Sequence, residues 1–167
     1  MNELIYRDAE LADLNRIVEI YNSTIASRMV TADTEPVSVD DRLQWFNDHN
    51  PEKRPLWLIE NNLNDIIGWV SLQSFYGRPA YDGTVEISIY IDENQRGKGL
   101  GKQILKDCID KSLDLGVKTL LGFIFAHNEP SIRLFQHFGF EEWALFPNVA
   151  EMDDQEYSLK ILGKRIQ

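Results

Sequence analysis

The sequence predicts one α/β domain built on a mixed sheet, and three observations carry that expectation. Strand-length segments bounded by turn residues occur in both halves of the chain. Two early ones lie close enough to form a hairpin, whereas later ones are separated by amphipathic stretches of helix length. Hairpins first and strand-helix-strand crossovers later require antiparallel and parallel pairing in one sheet. A chain of 167 residues suffices for one core, and no repeat or Pro/Gly/Ser linker divides it, so residues 1–167 are read as one domain.

Residues 4–7 read as a short strand. Asp8 then precedes a helical pattern whose apolar positions are Leu11, Leu14, Ile17, Val18 and Tyr21. Residues 28–36 read as loop, after which Ser38 is placed to cap a second helix: Asp40 and Asp41 suit its first turn, Leu43, Trp45 and Phe46 anchor it, and it ends before Pro51. Residues 56–59 and 66–72 form strands joined by the turn-rich 61–65. Gly and Pro mark 77–83 as a loop, and 84–91, rich in β-branched and aromatic residues, is the strongest strand. A helix is expected over 99–115, with Leu100, Ile104, Leu105, Cys108, Ile109 and Leu115 on one face and Gly116 closing it. An apolar strand follows at 119–125, then a helix from Asn128 through Phe138 with Pro130 in its first turn. Strands near 140–146 and 156–161 complete the chain.

The composition, 43% apolar and 26% charged, is that of a folded soluble protein. A net charge of −10 excludes bulk attraction to nucleic acid or anionic membrane, and neither is expected as a partner. A local basic cluster can still hold an anion, because charges more than roughly 8 Å apart in physiological salt are largely screened. The start lacks a basic region followed by an apolar run, and no segment reaches the length of a membrane span, so neither secretion nor insertion is expected. Cys108 is the only cysteine, which rules out an internal disulfide and suits a cytoplasmic protein. His49, His127 and His137 share no metal-ligand spacing with it, and no metal is predicted.

Between the strongest strand and the long helix stands Gln95-Arg96-Gly97-Lys98-Gly99-Leu100-Gly101-Lys102. Its glycines allow a tight turn and close approach of backbone to a ligand, and the unpaired amides of a helix start favour anionic oxygens. Arg96, Lys98 and Lys102 add positive charge. The spacing fits neither a P-loop, since Lys102 is followed by Gln103, nor the dinucleotide fingerprint, since the glycines recur every second residue. On spacing alone, a glycine-rich turn with solubilising lysines accounts for the stretch as well as a pyrophosphate cradle does.

At these residues the chain resembles the GNAT superfamily of N-acetyltransferases, whose cofactor motif Q/R-x-x-G-x-G/A matches Arg96, Gly99 and Gly101. It is most similar to the phosphinothricin N-acetyltransferase-like branch, through Thr31-Ala32-Asp33-Thr34-Glu35-Pro36, Gly77-Arg78-Pro79-Ala80-Tyr81, Thr84-Val85-Glu86-Ile87-Ser88-Ile89-Tyr90-Ile91 and Asn128-Glu129-Pro130-Ser131. The resemblance implies a mostly antiparallel sheet with helices on both faces, in which two central strands splay apart to admit the pantetheine arm of acetyl-CoA. It implies that the backbone of Ile89, Tyr90 and Ile91 bonds the arm like an added strand. The amides of Gly97, Lys98, Gly99, Leu100, Gly101 and Lys102 would hold the pyrophosphate beside Arg96, and Asn128 would touch the arm. His137 would reach the cofactor's far end or stand as an ordinary surface histidine.

Attack on a thioester needs a neutral amine, so a base must take a proton. Strand alternation puts Thr84, Glu86, Ser88 and Tyr90 on one face, and Glu86, where the branch places its proposed base, is the candidate; a solvent-facing or lysine-paired glutamate is the plain alternative. The oxyanion needs a fixed donor, and the resemblance implies the Tyr90 N–H. Many superfamily members carry a tyrosine acid at the position occupied here by Phe135, which has no proton to give. A thiolate whose parent thiol has a pKa of about 8.5 can leave with water's help. Cys108 and the residues Trp45, Phe46, Trp57 and Trp69 read as core.

An amino-acid-like acceptor carries a carboxylate or phosphinate, which a planar guanidinium matches with paired hydrogen bonds. Arg78 and Tyr81 are the first candidates, with Ser88 on the polar strand face and Arg28, in the other flanking loop, as a further one; a plain surface charge is the alternative for either arginine, and more so for Arg28. The expected acceptor is a small-molecule primary amine, an amino acid or analogue such as phosphinothricin or methionine sulfoximine. A polyamine, an aminoglycoside or a protein N-terminus is the alternative, as is a non-catalytic acyl-CoA sensor, which Phe135 favours. The branch also implies a homodimer.

Overall fold

The computed structural model describes residues 3–167. Its strands are β1 (Ile5–Asp8), β2 (Leu56–Glu60), β3 (Ile66–Ser74), β4 (Thr84–Ile91), β5 (Thr119–Phe125), β6 (Glu141–Met152) and β7 (Gln155–Arg165). The helices are α1 (Leu14–Ser23), α2 (Val39–Asn47), α3 (Leu100–Asp114) and α4 (Glu129–His137). The strands form one sheet in the order β1-β2-β3-β4-β5-β7-β6. Every neighbouring pair is antiparallel except β4 with β5, the pair bridged by α3.

Side chains alternate across each strand, so the sheet carries two apolar faces and each needs a cover. On one face Ile17, Ile20 and Tyr21 of α1 pack with Leu56, Leu58 and Trp69, flanked by Trp45 and Phe46 of α2. On the other, Ile104, Leu105 and Cys108 of α3 and Ile132 and Phe135 of α4 pack with Val70, Leu72, Val85 and Ile87. Each fully buried aliphatic side chain stabilises the fold by about 1.5–3 kcal/mol. Cys108 is completely buried, in keeping with a packing role. Trp69 is buried as expected, while Trp45, Phe46 and Trp57 are half-buried at the margins of the two clusters.

The helix ends follow the local chemistry. Ser38 accepts the Asp41 amide at 3.1 Å while the Asp41 carboxylate accepts the Ser38 amide at 2.8 Å, a reciprocal cap. Gly116 closes α3 at φ +70°, with Gly116 N–H donating to Leu113 O and Val117 N–H to Ser112 O. Several boundaries differ from the sequence reading, among them β7, which runs to Arg165. A 3-10 turn over Leu11–Asp13 precedes α1, braced by Arg7, whose guanidinium donates twice to Asp13. The sixth strand does not stop near 146 but continues to Met152, because β6 is an edge strand and a register shift between Phe146 and Ala150 absorbs Pro147.

Candidate active site

β3 pairs with β4 from Gly68 with Ile91 to Ser74 with Val85. Against β5, β4 is paired only at Thr84 with Thr119, Val85 with Leu120 and Glu86 with Leu121. Beyond that point β5 stays with β7 through Phe125, and the two central strands diverge around a cleft of about 370 Å³. Phe135 of α4 lines the cleft between them. A Cβ on Gly122 would lie 2.7 Å from the Phe135 ring, so the bare glycine of β5 makes room for it.

The ladder bonds decide which peptide groups open onto the cleft. Phe75 N–H donates to Thr84 O at 3.2 Å and Asp92 N–H to Ile67 O at 2.9 Å, while on the other edge Thr119 N–H donates to Gly83 O at 3.0 Å. In an extended strand successive peptide groups turn to opposite edges, so even-numbered residues of β4 bond β3 and odd-numbered ones face β5. The N–H and C=O groups of Ile89 and Ile91 therefore open onto the cleft with no strand to take them. This corrects the expectation for Tyr90: its amide is turned to β3, and neither the oxyanion nor the arm can use it. The Ile89 N–H is the free amide nearest the point of divergence.

The glycine loop begins at Asp92, whose carboxylate accepts from Arg16 and from the Asn94 amide. Gly97 and Gly99 stand at φ +76° and +74°, a region that favours glycine. Among the described residues, no hydrogen bond uses the amides of Gly97, Lys98, Gly99, Leu100 or Gly101. Lys102 differs from expectation, since its amide turns back to Gly99 O at 3.3 Å and only its ammonium remains for a ligand. Arg96 lines the cleft while pairing with Glu93 at 3.2 Å, and the Lys98 ammonium donates to Gln95. Five consecutive bare amides at a helix start, continuous with the open edge of β4, suit a pyrophosphate followed by an extended amide-bearing arm.

Glu86 is the last residue of β4 paired with β5, on the α1/α2 face where Ser88 and Tyr90 follow it. Burial pushes its carboxyl above the usual range, and the Ser88 side chain acts in the opposite direction. Tyr90 stacks on Trp69 at 4.4 Å and lies 5.1 Å from the Tyr21 ring. The Tyr21 hydroxyl meets Thr31 and Asp33, and Arg42 donates to Asp33 at 2.9 Å with its guanidinium 4.3 Å from the Tyr21 ring. This polar cluster escaped the sequence reading; Thr31 and Asp33 stood in a quoted motif, but nothing in the spacing joined them to Tyr21 and Arg42. His49 is likewise new, bonding Trp45 O through Nδ1 and the Ser71 hydroxyl through Nε2, with Ser71 directly across from Ser88.

The other candidates scatter. Arg78 and Tyr81 lie exposed in the loop before β4, with Tyr81 edge-on to Phe75. Arg28 spends its guanidinium on Asp153, at 2.8 and 3.2 Å, and on Thr34 O. Asn128 lines the cleft but caps α4 through the Ser131 amide and donates to Met29 O, tying the 28–30 loop to the end of β5. His137 is exposed at the end of α4, outside the cleft wall.

Comparison with known proteins accords with this architecture. Residues 16–140 match the acetyltransferase (GNAT) family. The chain is 54% identical over 160 residues to the phosphinothricin acetyltransferase-like protein YwnH of Bacillus subtilis, covering 96% of this chain and 98% of the relative. It is 31% identical to an L-methionine sulfoximine/L-methionine sulfone acetyltransferase of Pseudomonas aeruginosa, over 87% of this chain and 84% of the relative. Among solved structures, a phosphinothricin acetyltransferase from Sinorhizobium meliloti in complex with acetyl-CoA superposes with a TM-score of 0.89 at 26% identity, covering 97% of this chain and 88% of that one.

Proposed function

Because the chain belongs to the acetyltransferase (GNAT) family and is an acetyl-CoA-dependent N-acetyltransferase, we propose that its acceptor is the primary amine of a small amino acid or analogue of the phosphinothricin or methionine sulfoximine type. Glu86 is the general base in this reading. The observation that carries it is the place of Glu86: a half-buried carboxylate with a raised pKa, on the polar face of β4, at the residue where β4 and β5 part. An acceptor held on that face presents its ammonium to Glu86, which takes the proton, and the freed nitrogen attacks the thioester carbonyl. Acetyl-CoA supplies the activated acyl group. The Ile89 N–H, turned into the cleft, receives the developing oxyanion. Phe135 leaves the departing thiolate without a side-chain acid, and water protonates it.

The relatives, among them an L-methionine sulfoximine/L-methionine sulfone acetyltransferase, support this acceptor class, as does the acceptor-facing chemistry. The Arg78 guanidinium has no hydrogen-bond or ion-pair partner among the described residues, while its carbonyl accepts the Tyr81 amide at 2.9 Å in the loop leading into β4, and a guanidinium so placed can take a carboxylate or phosphinate. Arg28 stays with Asp153 and does not serve the acceptor. A panel of amines, with thiol release from acetyl-CoA as readout, tests the class: turnover confined to polyamines or aminoglycosides would reject it. Glu86→Gln should lower kcat by about 10²–10⁴-fold with the KM for acetyl-CoA unchanged, the usual worth of a positioned base. Equal turnover would remove Glu86 from the chemistry. We assign the active form as a homodimer joined along the β6 edge, where Trp143, Leu145, Phe146 and Val149 are exposed. Sedimentation showing a monomer at micromolar concentration would reject that assignment. No described helix is long and apolar enough to cross a membrane, and the reading places the enzyme in the cytoplasm.

A further inference from the structure

At the end of the sheet opposite the glycine loop, where β4 and β5 begin and α3 ends, lies a second cavity of about 450 Å³. Its wall carries Lys53, Arg54, Lys118 and Arg165 against one carboxylate, Asp82, in a chain of net charge −10. The four cations differ in how far the protein uses them. Arg54 is only 6% exposed and spends its guanidinium on the Ser74 hydroxyl, Lys53 O and Asp82 O, at 2.7–2.9 Å, so it frames the cavity. Lys53 holds the Asp82 carboxylate at 2.8 Å. Lys118 lays its stem over Gly83, and among the described residues its ammonium meets no carboxylate. Arg165 donates only to Gln167 O, at 3.2 Å. Of the carbonyls that end α3, Ser112 O and Leu113 O are hydrogen-bonded, by the amides of Val117 and Gly116.

Positive charge in excess of the single carboxylate of Asp82, gathered in a concave wall, stabilises an anion there against the overall negative field. We propose that this cavity is a binding site for a compact multivalent oxyanion, a polyphosphate or polycarboxylate, held by Lys118 and Arg165 with Lys53 as the third contact. It is separate from the cofactor cradle. β4 alone, at about 3.3 Å per residue, puts roughly 25 Å between the two.

The test is calorimetric titration of the full chain with inorganic pyrophosphate and, separately, with citrate, after saturating the cradle with acetyl-CoA. One binding event per chain is expected at low salt, weakening as salt rises. The double variant Lys118→Met/Arg165→Gln should bind at least tenfold more weakly while keeping the wild-type rate of acetylation. Tighter pyrophosphate identifies a phosphate ligand and tighter citrate a carboxylate; either supports the site. No binding of either anion at millimolar concentration, or equal binding by the double variant, overturns it. Should the double variant lose thermal stability, Lys118→Met alone, which keeps the aliphatic cover of Gly83, replaces it, and unchanged affinity there overturns the proposal equally. Gly99→Glu, which alters only the cradle, should leave this second affinity intact.

Discussion

The two edges of β4 belong to one strand and have opposite fates. Toward β3 the strand is bonded from end to end, and the groups that face that way are spent on the fold. Toward β5 it is bonded for three residues and then released, so Ile89 and Ile91 hold peptide groups that a ligand can take. A glycine stands at each edge for a different reason. On β3, a Cβ at Gly68 would lie 2.7 Å from the Tyr90 carbonyl oxygen, so the glycine permits closeness within the sheet. On β5, Gly122 admits the Phe135 ring, so the glycine serves separation. An unpaired sheet edge is ordinarily a liability. Here it lies inside the molecule, walled by α3 and α4, where only a slender extended ligand can complete it.

The comparison can be broken most severely at its open end. Gly99→Glu puts a negative charge among the bare amides and a side chain at φ +74°; acetyl-CoA affinity should fall at least 100-fold by calorimetry, and unchanged affinity would contradict the cradle. At the closed edge, Gly68→Ala meets backbone that cannot give. Denaturant unfolding should show a loss of about 1–3 kcal/mol, with the KM for acetyl-CoA unchanged in the fraction that folds.

Gly122→Ala should behave in the opposite sense. Its methyl pushes the Phe135 ring into the cleft, and the KM for acetyl-CoA should rise by about three- to tenfold, on the order of 1 kcal/mol of lost binding. The smallest effect is on pH. Glu86 must be ionised to accept a proton, and burial raises its pKa against the opposing Ser88 side chain, so kcat/KM should climb with pH along a limb above the about 4.3 of a free glutamate. Ser88→Ala removes the opposing hydroxyl and should move that limb further up; a limb that stays in place would show that the acceptor amine, not Glu86, sets it.

Much of this was legible in the residues themselves. Local rules placed the Ser38 cap, the Gly116 stop, the strand at 84–91 and the loop from Gln95 to Lys102, because each depends on a few neighbouring residues and their φ preferences. Strand alternation likewise grouped Glu86 with Ser88 and Tyr90. The edge to which a peptide group turns is not coded in that way. It depends on which partner strand is in register, and the pairing turns the Tyr90 amide to β3 and the Ile89 amide to the cleft. The extent of β6 past Pro147 followed the same logic, since only an edge strand tolerates the missing donor.

By itself, then, the sequence determined the kind of element at each position, the cofactor motif and the side chains that share one face of β4 with Glu86, all features of short range. The tertiary structure alone decided where β4 and β5 part, which amides remain unspent, and that Tyr21, Thr31, Asp33 and Arg42 meet beside Tyr90. It also decided that Lys53, Arg54, Lys118 and Arg165 surround one cavity. Those are relations between residues distant along the chain, and hydrogen bonds and charges act through space, so nothing in the linear order could fix them.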